Sequence, residues 1–256
     1  MALPYAVLLV VFVVVPLFIV LCYAFTASDG GFSFDGFTSV FTRNRMAILW
    51  ESLKFSFFTT VICFAVAYPI AFILSNKKFN RSGVLILLFV LPMWINFLLR
   101  MLAVKTVFDF FGVGLGYIPA LVGSAYDFLP FMILPIYTTL CNIDKSLTEA
   151  SADLGAGSVR TFFRVTLPLS VPGVLSGSIM VFMPSLSSFA VPQLLGLNLR
   201  LFGEMIDNQF IGSAQNYNIG SAMSFVMLAL VGLSMFIANR VSKKQGGIAE
   251  AKGGLW

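Results

Sequence analysis

Apolar residues in this chain come in long runs, not in the short alternations or narrow stripes of a water-soluble fold. A helix needs about 20 mostly apolar residues to cross a bilayer. Six runs meet that need: 4–25, 53–75, 84–108, 118–140, 173–195 and 220–238. Each predicts a transmembrane helix, so the chain reads as an all-α, polytopic membrane protein with one domain over residues 1–256. The first run is too long for a cleaved signal peptide and lacks its basic start, so it counts as a span.

Prolines fall inside these runs at 16, 69, 92, 130, 135, 184 and 192. Each removes a ladder hydrogen bond and tends to kink its helix, which suits helices that line a cavity. The freed carbonyls then need partners inside the protein. Gly112 and Gly116, like Gly173 and Gly177, have the spacing that lets helices approach closely.

Composition agrees with the pattern. Of 256 residues, 59% are hydrophobic and 11% charged, and the mean hydropathy is +0.94. A soluble domain carries about 25% charged residues, so a soluble enzyme, a disordered regulator and a disulfide-stapled module are excluded. The chain has no histidine, which removes His metal sites, Ser-His-Asp triads and His proton relays. Cys22, Cys63 and Cys141 are far apart and form no metal or disulfide pattern. No phosphate-cradling P-loop is present. The net charge of +5 sits at the ends of apolar runs, which speaks for topology and not for nucleic acid. Lys77, Lys78, Arg81, Lys145, Arg160, Arg164, Arg240, Lys243, Lys244 and Lys252 share the side that holds both termini. The opposite face has fewer (Arg43, Arg45, Lys54, Arg100, Lys105, Arg200), so both termini are placed in the cytoplasm. The glycosylation-like Asn80-Arg81-Ser82 then faces the cytosol and is a chance match.

One connection breaks the rhythm. Residues 143–172 are too polar to span and too long for a tight turn. Ser146 or Thr148 suits a helix start, and residues 147–154 fit a short helix. Gly155 and Gly157 supply a turn. Residues 159–167 fit a second short helix with apolar Phe162, Phe163, Val165 and Leu167, which Pro168 and Pro172 would end before the next span. Such an element is either a knob for a cytoplasmic partner or an interfacial helix lying on lipid.

The spacing in this connection resembles the EAA loop of ABC-importer permeases. Glu149-Ala150-Ser151 is followed after three residues by Gly155, and after nine more by Val165-Thr166-Leu167-Pro168. Ser151 and Val165 stand where the family pattern has Ala and Ile. Other stretches are similar to the spermidine/putrescine branch. They are Leu91-Pro92-Met93-Trp94 with Leu99-Arg100, residues 126–137, and residues 189–196, so the likeness covers roughly 50–240. It is strongest to the first of the two different permeases that such importers pair. The resemblance implies a MetI-like type I permease fold whose loop is a coupling helix seated in a separate ATPase. Glu149, Ala150, Ser151, Asp153, Leu154, Gly155, Ala156, Phe163, Leu167 and Pro168 would form that contact. It also implies a second homologous permease, an ATPase homodimer holding ATP and Mg, an external substrate-binding protein, and residence in a bacterial cytoplasmic membrane. The chain itself would hold no cofactor and catalyse nothing.

A polycation path needs carboxylates and aromatic faces. The candidates are Trp94, Asp109, Tyr126, Asp127 and Ser188, with Glu204 and Asp207 for external docking. Asp127 is open to two readings, cargo contact or a structural ion pair with Arg100 or Lys105. Ser188 occupies a position where some relatives carry an acid, and the link at 112–119 is shorter than usual. Another cargo (a different organic cation, thiamine, iron or an inorganic anion) is the alternative within this class. An ion-driven secondary transporter or an intramembrane enzyme is the alternative outside it.

Overall fold

The computed structural model describes residues 2–26, 31–76, 80, 83–197, 199–212 and 215–253, with side chains from 237 onward given only at 240. The helices in chain order are α1 (Ala2–Leu9), α2 (Val15–Ala24), α3 (Asp35–Val40), α4 (Arg43–Ser75), α5 (Leu85–Val90), α6 (Phe97–Phe110), α7 (Tyr117–Cys141), α8 (Lys145–Asp153), α9 (Ser158–Thr161), α10 (Leu167–Ser187), α11 (Ala190–Leu195), α12 (Phe202–Phe210) and α13 (Tyr217–Gly253). Lys77, Lys78, Arg81 and Ser82 of the basic loop lie outside the described residues, as do the side chains of Lys243, Lys244 and Lys252.

Two π turns, Val10–Val14 and Phe162–Thr166, stitch short helices into long ones. Each ends two residues before a proline, Pro16 and Pro168. The wider i→i+5 turn makes room for a ring that would clash with the carbonyl four residues back. This overturns the expectation that Pro168 and Pro172 stop the second loop helix. Ser158–Ser187 instead runs as one 30-residue rod from the loop into the fifth span.

Span three is also not one straight helix. Leu85–Trp94 and Phe97–Phe110 meet at 103°, and Asn96 opens the second half by accepting the Leu98 N–H through its side chain at 2.9 Å. The two halves feed different parts of the core. Ile86 sits among Ala67, Ala71, Leu74 and Leu140 at one end, whereas Met101 sits among Phe55, Ala120 and Leu195 at the other. Five other helices among the described residues are long and apolar enough to cross a membrane, and with the bent pair counted as one span there are six. Beyond the Ser158–Ser187 rod the chain breaks at Ser188 and Phe189, before the short helix α11.

The central seam joins α7 to α10. A Cβ on Gly173 would lie 2.7 Å from Pro135 O, and one on Gly177 would lie 2.8 Å from Met132 Sδ. The two helices therefore touch backbone to backbone, the close approach that small residues permit. α4 completes the core through Tyr68, whose hydroxyl meets Ser170 Oγ at 2.9 Å, and through Cys63, which donates to Ala125 O.

Candidate functional site

The polar connection folds as a helix–turn–helix at the end of the bundle where α7 closes. Asp144, not Ser146 or Thr148, is the cap of α8: its carboxylate accepts the Ser146 N–H at 3.0 Å. That bond holds the Asp144 carboxyl below the usual aspartate range. An Asp directly before Lys-Ser was the available signal for this cap. Leu154 ends the helix and Gly155 makes the turn at φ +78°, with its N–H on Ala152 O and the Ala156 N–H on Ser151 O. Nothing lies within 4 Å of a Cβ built on Gly155, so only its backbone conformation calls for glycine.

Ser151 then faces the second helix and shares a 2.9 Å hydrogen bond with Thr161. Phe162 packs on Phe72 and Tyr68 of α4, and Leu167 packs on the core, anchoring the knob to the bundle. Glu149, Ala150, Asp153 and Pro168 are exposed and Ala156 is half-buried. Leu154, Val159 and Phe163 are 88%, 73% and 60% exposed, an apolar tip on a polar helix pair. Behind the knob lies a cleft of about 410 Å³ lined by Phe72, Leu140, Thr148, Ala152, Thr161 and Phe162.

The path candidates are not gathered in one place. Trp94 ends the short 3-10 turn at the bend and is 81% exposed. Asp109 is exposed at the far end of α6, about 20 Å along the helix from the bend. Tyr126 is half-exposed midway along α7, and Ser188 is half-buried in the break after α10. Asp127, beside Tyr126, is buried and ion-paired with Arg100 of α6; of the two partners the sequence left open, the structure takes Arg100.

At the other end of the bundle, α12 is tied to α4 by the Phe202 N–H donating to buried Ser52 Oγ at 2.7 Å. Sequence reasoning passed over Ser52, because a lone serine in an apolar run gives no signal. Glu204 shares a pocket of about 400 Å³ with Arg45, Arg200, Asn208 and Gln209. Burial pushes its carboxyl above the usual glutamate range, although the Leu201 backbone and Arg200 pull it down. Asp207 accepts from Gln193 Nε2 at 3.5 Å, at the limit of a hydrogen bond.

Six apolar spans among the described residues, the third bent at 103°, and a capped helix–turn–helix at one end of the bundle define a polytopic membrane protein that presents a folded polar connection. Residues 1–245 match the family described as the binding-protein-dependent transport system inner membrane component, and the chain belongs to that family. It is a multi-pass inner-membrane protein and a transport subunit, and its family is the one that the loop spacing resembled.

Among relatives, the spermidine/putrescine transport system permease protein PotB of Haemophilus influenzae is 34% identical over 92% of this chain and 90% of its own. The protein of that name from Escherichia coli K12 is 30% identical over 92% and 94%. Among solved structures, a bacterial ABC transporter involved in the import of the acidic polysaccharide alginate superposes with a TM-score of 0.76 at 17% identity, covering 95% of this chain and 94% of its own. The MetNI methionine ABC transporter superposes with a TM-score of 0.64 at 19% identity, covering 80% and 99%. At those identities the structures establish the fold alone, and they agree with the MetI-like architecture.

Proposed function

We propose that the chain is the polyamine-carrying permease subunit of an importer driven by ATP hydrolysis. The observation that carries this reading is the pair of relatives named for spermidine and putrescine, similar from end to end at 34% and 30% identity. The subunit pairs with a homologous second permease and receives cargo from an external binding protein. A separate ATPase dimer holds ATP and Mg. Both termini and the α8–α9 knob face the cytoplasm.

The knob's construction supports its part as a lever. Exposed Leu154, Val159 and Phe163, with Glu149 and Ala150, offer the ATPase a surface. The continuous rod Ser158–Ser187 is about 45 Å long and carries a push across the bilayer. The Gly173–Gly177 seam passes the same push to α7, so closure of the ATPase dimer moves both helices together and switches the side to which the cavity opens.

The test is uptake of labelled spermidine by the reconstituted importer, competed in turn by putrescine, other organic cations, thiamine, iron and inorganic anions. ATP-dependent uptake blocked by polyamines supports the reading, and uptake indifferent to them overturns it. One observation favours the alternative of a permease for another cargo: Asp127, the acid placed mid-span, is already matched by Arg100. The same competition decides between the two.

A further inference from the structure

Charge inside a membrane bundle is costly unless it is paired and its hydrogen bonds are complete. Arg100 is 9% exposed and Asp127 4%. Arg100 Nη2 forms an ion pair with Asp127 Oδ1, but Arg100 Nε, Arg100 Nη1 and Asp127 Oδ1 have no hydrogen-bond partner. The buried hydroxyls of Ser124, one turn before Asp127, and of Ser185 have none either. Gly177 packs on Met132 in the antiparallel α7–α10 seam. Counting eight residues along each helix from that contact brings Ser185 to the level of Ser124. The two idle nitrogens belong to the guanidinium that pairs with Asp127, the idle hydroxyl of Ser124 lies one turn from it, and Ser185 lies at the same level on the neighbouring helix. These atoms have almost no accessible surface, so neither water nor another chain reaches them in this arrangement.

A weld made only for stability would have its hydrogen bonds filled. An unfilled, sealed set is what a pair that parts during a cycle would leave in one of its two states. α6 begins after the 103° break and leaves Leu98, Leu99 and Leu102 exposed on its outer side. Asp127 by contrast sits on α7, the helix fixed in the glycine seam, and ten residues from its start lies near mid-span.

We infer that the Arg100–Asp127 pair is a latch in the transport cycle, in which the guanidinium holds the place of a cargo ammonium group on Asp127 until α6 swings away. In the latched state Asp127 is neutralised and closed to cargo. In the open state its carboxylate stands bare at mid-depth, and an ammonium group of the cargo replaces the guanidinium. This rests on the polyamine reading for the identity of the cation, though not for the opening of the latch.

The experiment uses the complete importer in proteoliposomes, with wild type, Arg100→Gln, Arg100→Lys, Asp127→Asn and the double variant R100Q/D127N. Labelled spermidine uptake is resolved into KM and kcat, and assembled complex is quantified. Removing the guanidinium should lower KM at least threefold and slow turnover. D127N should raise KM about tenfold. The double variant should assemble as wild type does, yet keep the raised KM, and R100K should fall between wild type and R100Q. KM values within twofold of wild type across the series, with only the amount of complex changing, would overturn the inference. So would a wild-type KM in the double variant.

If wild type takes up no polyamine, the cargo reading fails on its own and the latch is measured directly. Ser124→Cys, one turn from the intact Arg100–Asp127 pair, in a chain with Cys22, Cys63 and Cys141 replaced, is exposed to a cationic thiol reagent. Labelling at least fivefold faster in the ATP- and vanadate-trapped complex than without nucleotide supports the latch, and equal rates refute it.

Discussion

The α7–α10 seam and the α8–α9 knob both depend on glycine, for opposite reasons. In the seam there is no room: a Cβ on Gly173 would sit 2.7 Å from a backbone carbonyl that cannot turn aside. In the knob there is nothing but room. Gly155 has no neighbour within 4 Å of where its Cβ would be, and only φ +78° calls for glycine. The seam's glycines belong to stability, since two helices separate if they are filled. The knob's glycine belongs to shape, since the exposed turn would redirect while the bundle stayed intact. Equal substitutions in the two places should therefore part stability from transport.

The largest effect is expected in the seam. Gly173→Leu forces α7 and α10 apart, and overpacking of a filled core costs about 1–3 kcal/mol even where some relaxation is possible. Here the obstructing atom is backbone, so we expect little folded protein in the membrane. The detergent-extracted monodisperse fraction and its Tm would show the loss. A normal yield of Gly173→Leu would mean that the seam is looser than its geometry.

Gly155→Val comes next and should invert the pattern. The left-handed conformation costs a residue with a Cβ about 1–2 kcal/mol, confined to an exposed turn. Yield and Tm should stay near wild type, transport should fall to background, and ATPase activity should continue without it. Gly155→Asn should keep part of the transport, because asparagine enters this region more readily. Loss of folded protein from Gly155→Val would erase the distinction between the two regions.

Leu154→Asp probes the knob's surface without touching its backbone. Leu154 is 88% exposed, so the folded chain should change by no more than about 0.5 kcal/mol. Burying a new charge against a partner should weaken retention of the ATPase in pull-down several-fold. Unchanged retention would remove this residue from the contact surface.

The two regions were also unequally legible. Apolar runs located the long apolar helices, because length and hydropathy are set by the bilayer and not by tertiary detail. The loop's spacing gave its helix–turn–helix and its family, since Gly155 at a turn is a local backbone requirement. Pro92 announced a distortion of span three, but its size was hidden because Leu91 to Leu99 is almost wholly apolar; Asn96, a helix cap inside a span, was the other sign. Pro168 misled for the opposite reason. A proline normally ends a helix, but here the π turn at Phe162–Thr166 takes up the ring and the rod continues. The pairing of Arg100 with Asp127 was one of two readings, and choosing between them required knowing how α6 folds back against α7.

The smallest effect concerns the knob's first turn, and it is the sharpest in sign. The Asp144 carboxylate accepts the Ser146 N–H, so its pKa in the folded chain is lowered below the unfolded value of about 3.9. A group with a depressed folded pKa contributes stability above its unfolded pKa, and that contribution is lost as pH falls through the folded value. Hydrogen exchange of the α8 amides should thus be constant from neutral pH to about 4.5, once corrected for intrinsic rates, and then rise as the cap is protonated. Asp144→Asn keeps an acceptor and should abolish the acid rise while leaving protection at neutral pH. Asp144→Ala should be deprotected at every pH. Protection in the α7–α10 seam should not respond to any of these changes, because no titrating cap holds it. If the seam's amides followed Asp144, knob and seam would be one cooperative unit, and the separation of shape from stability would fail.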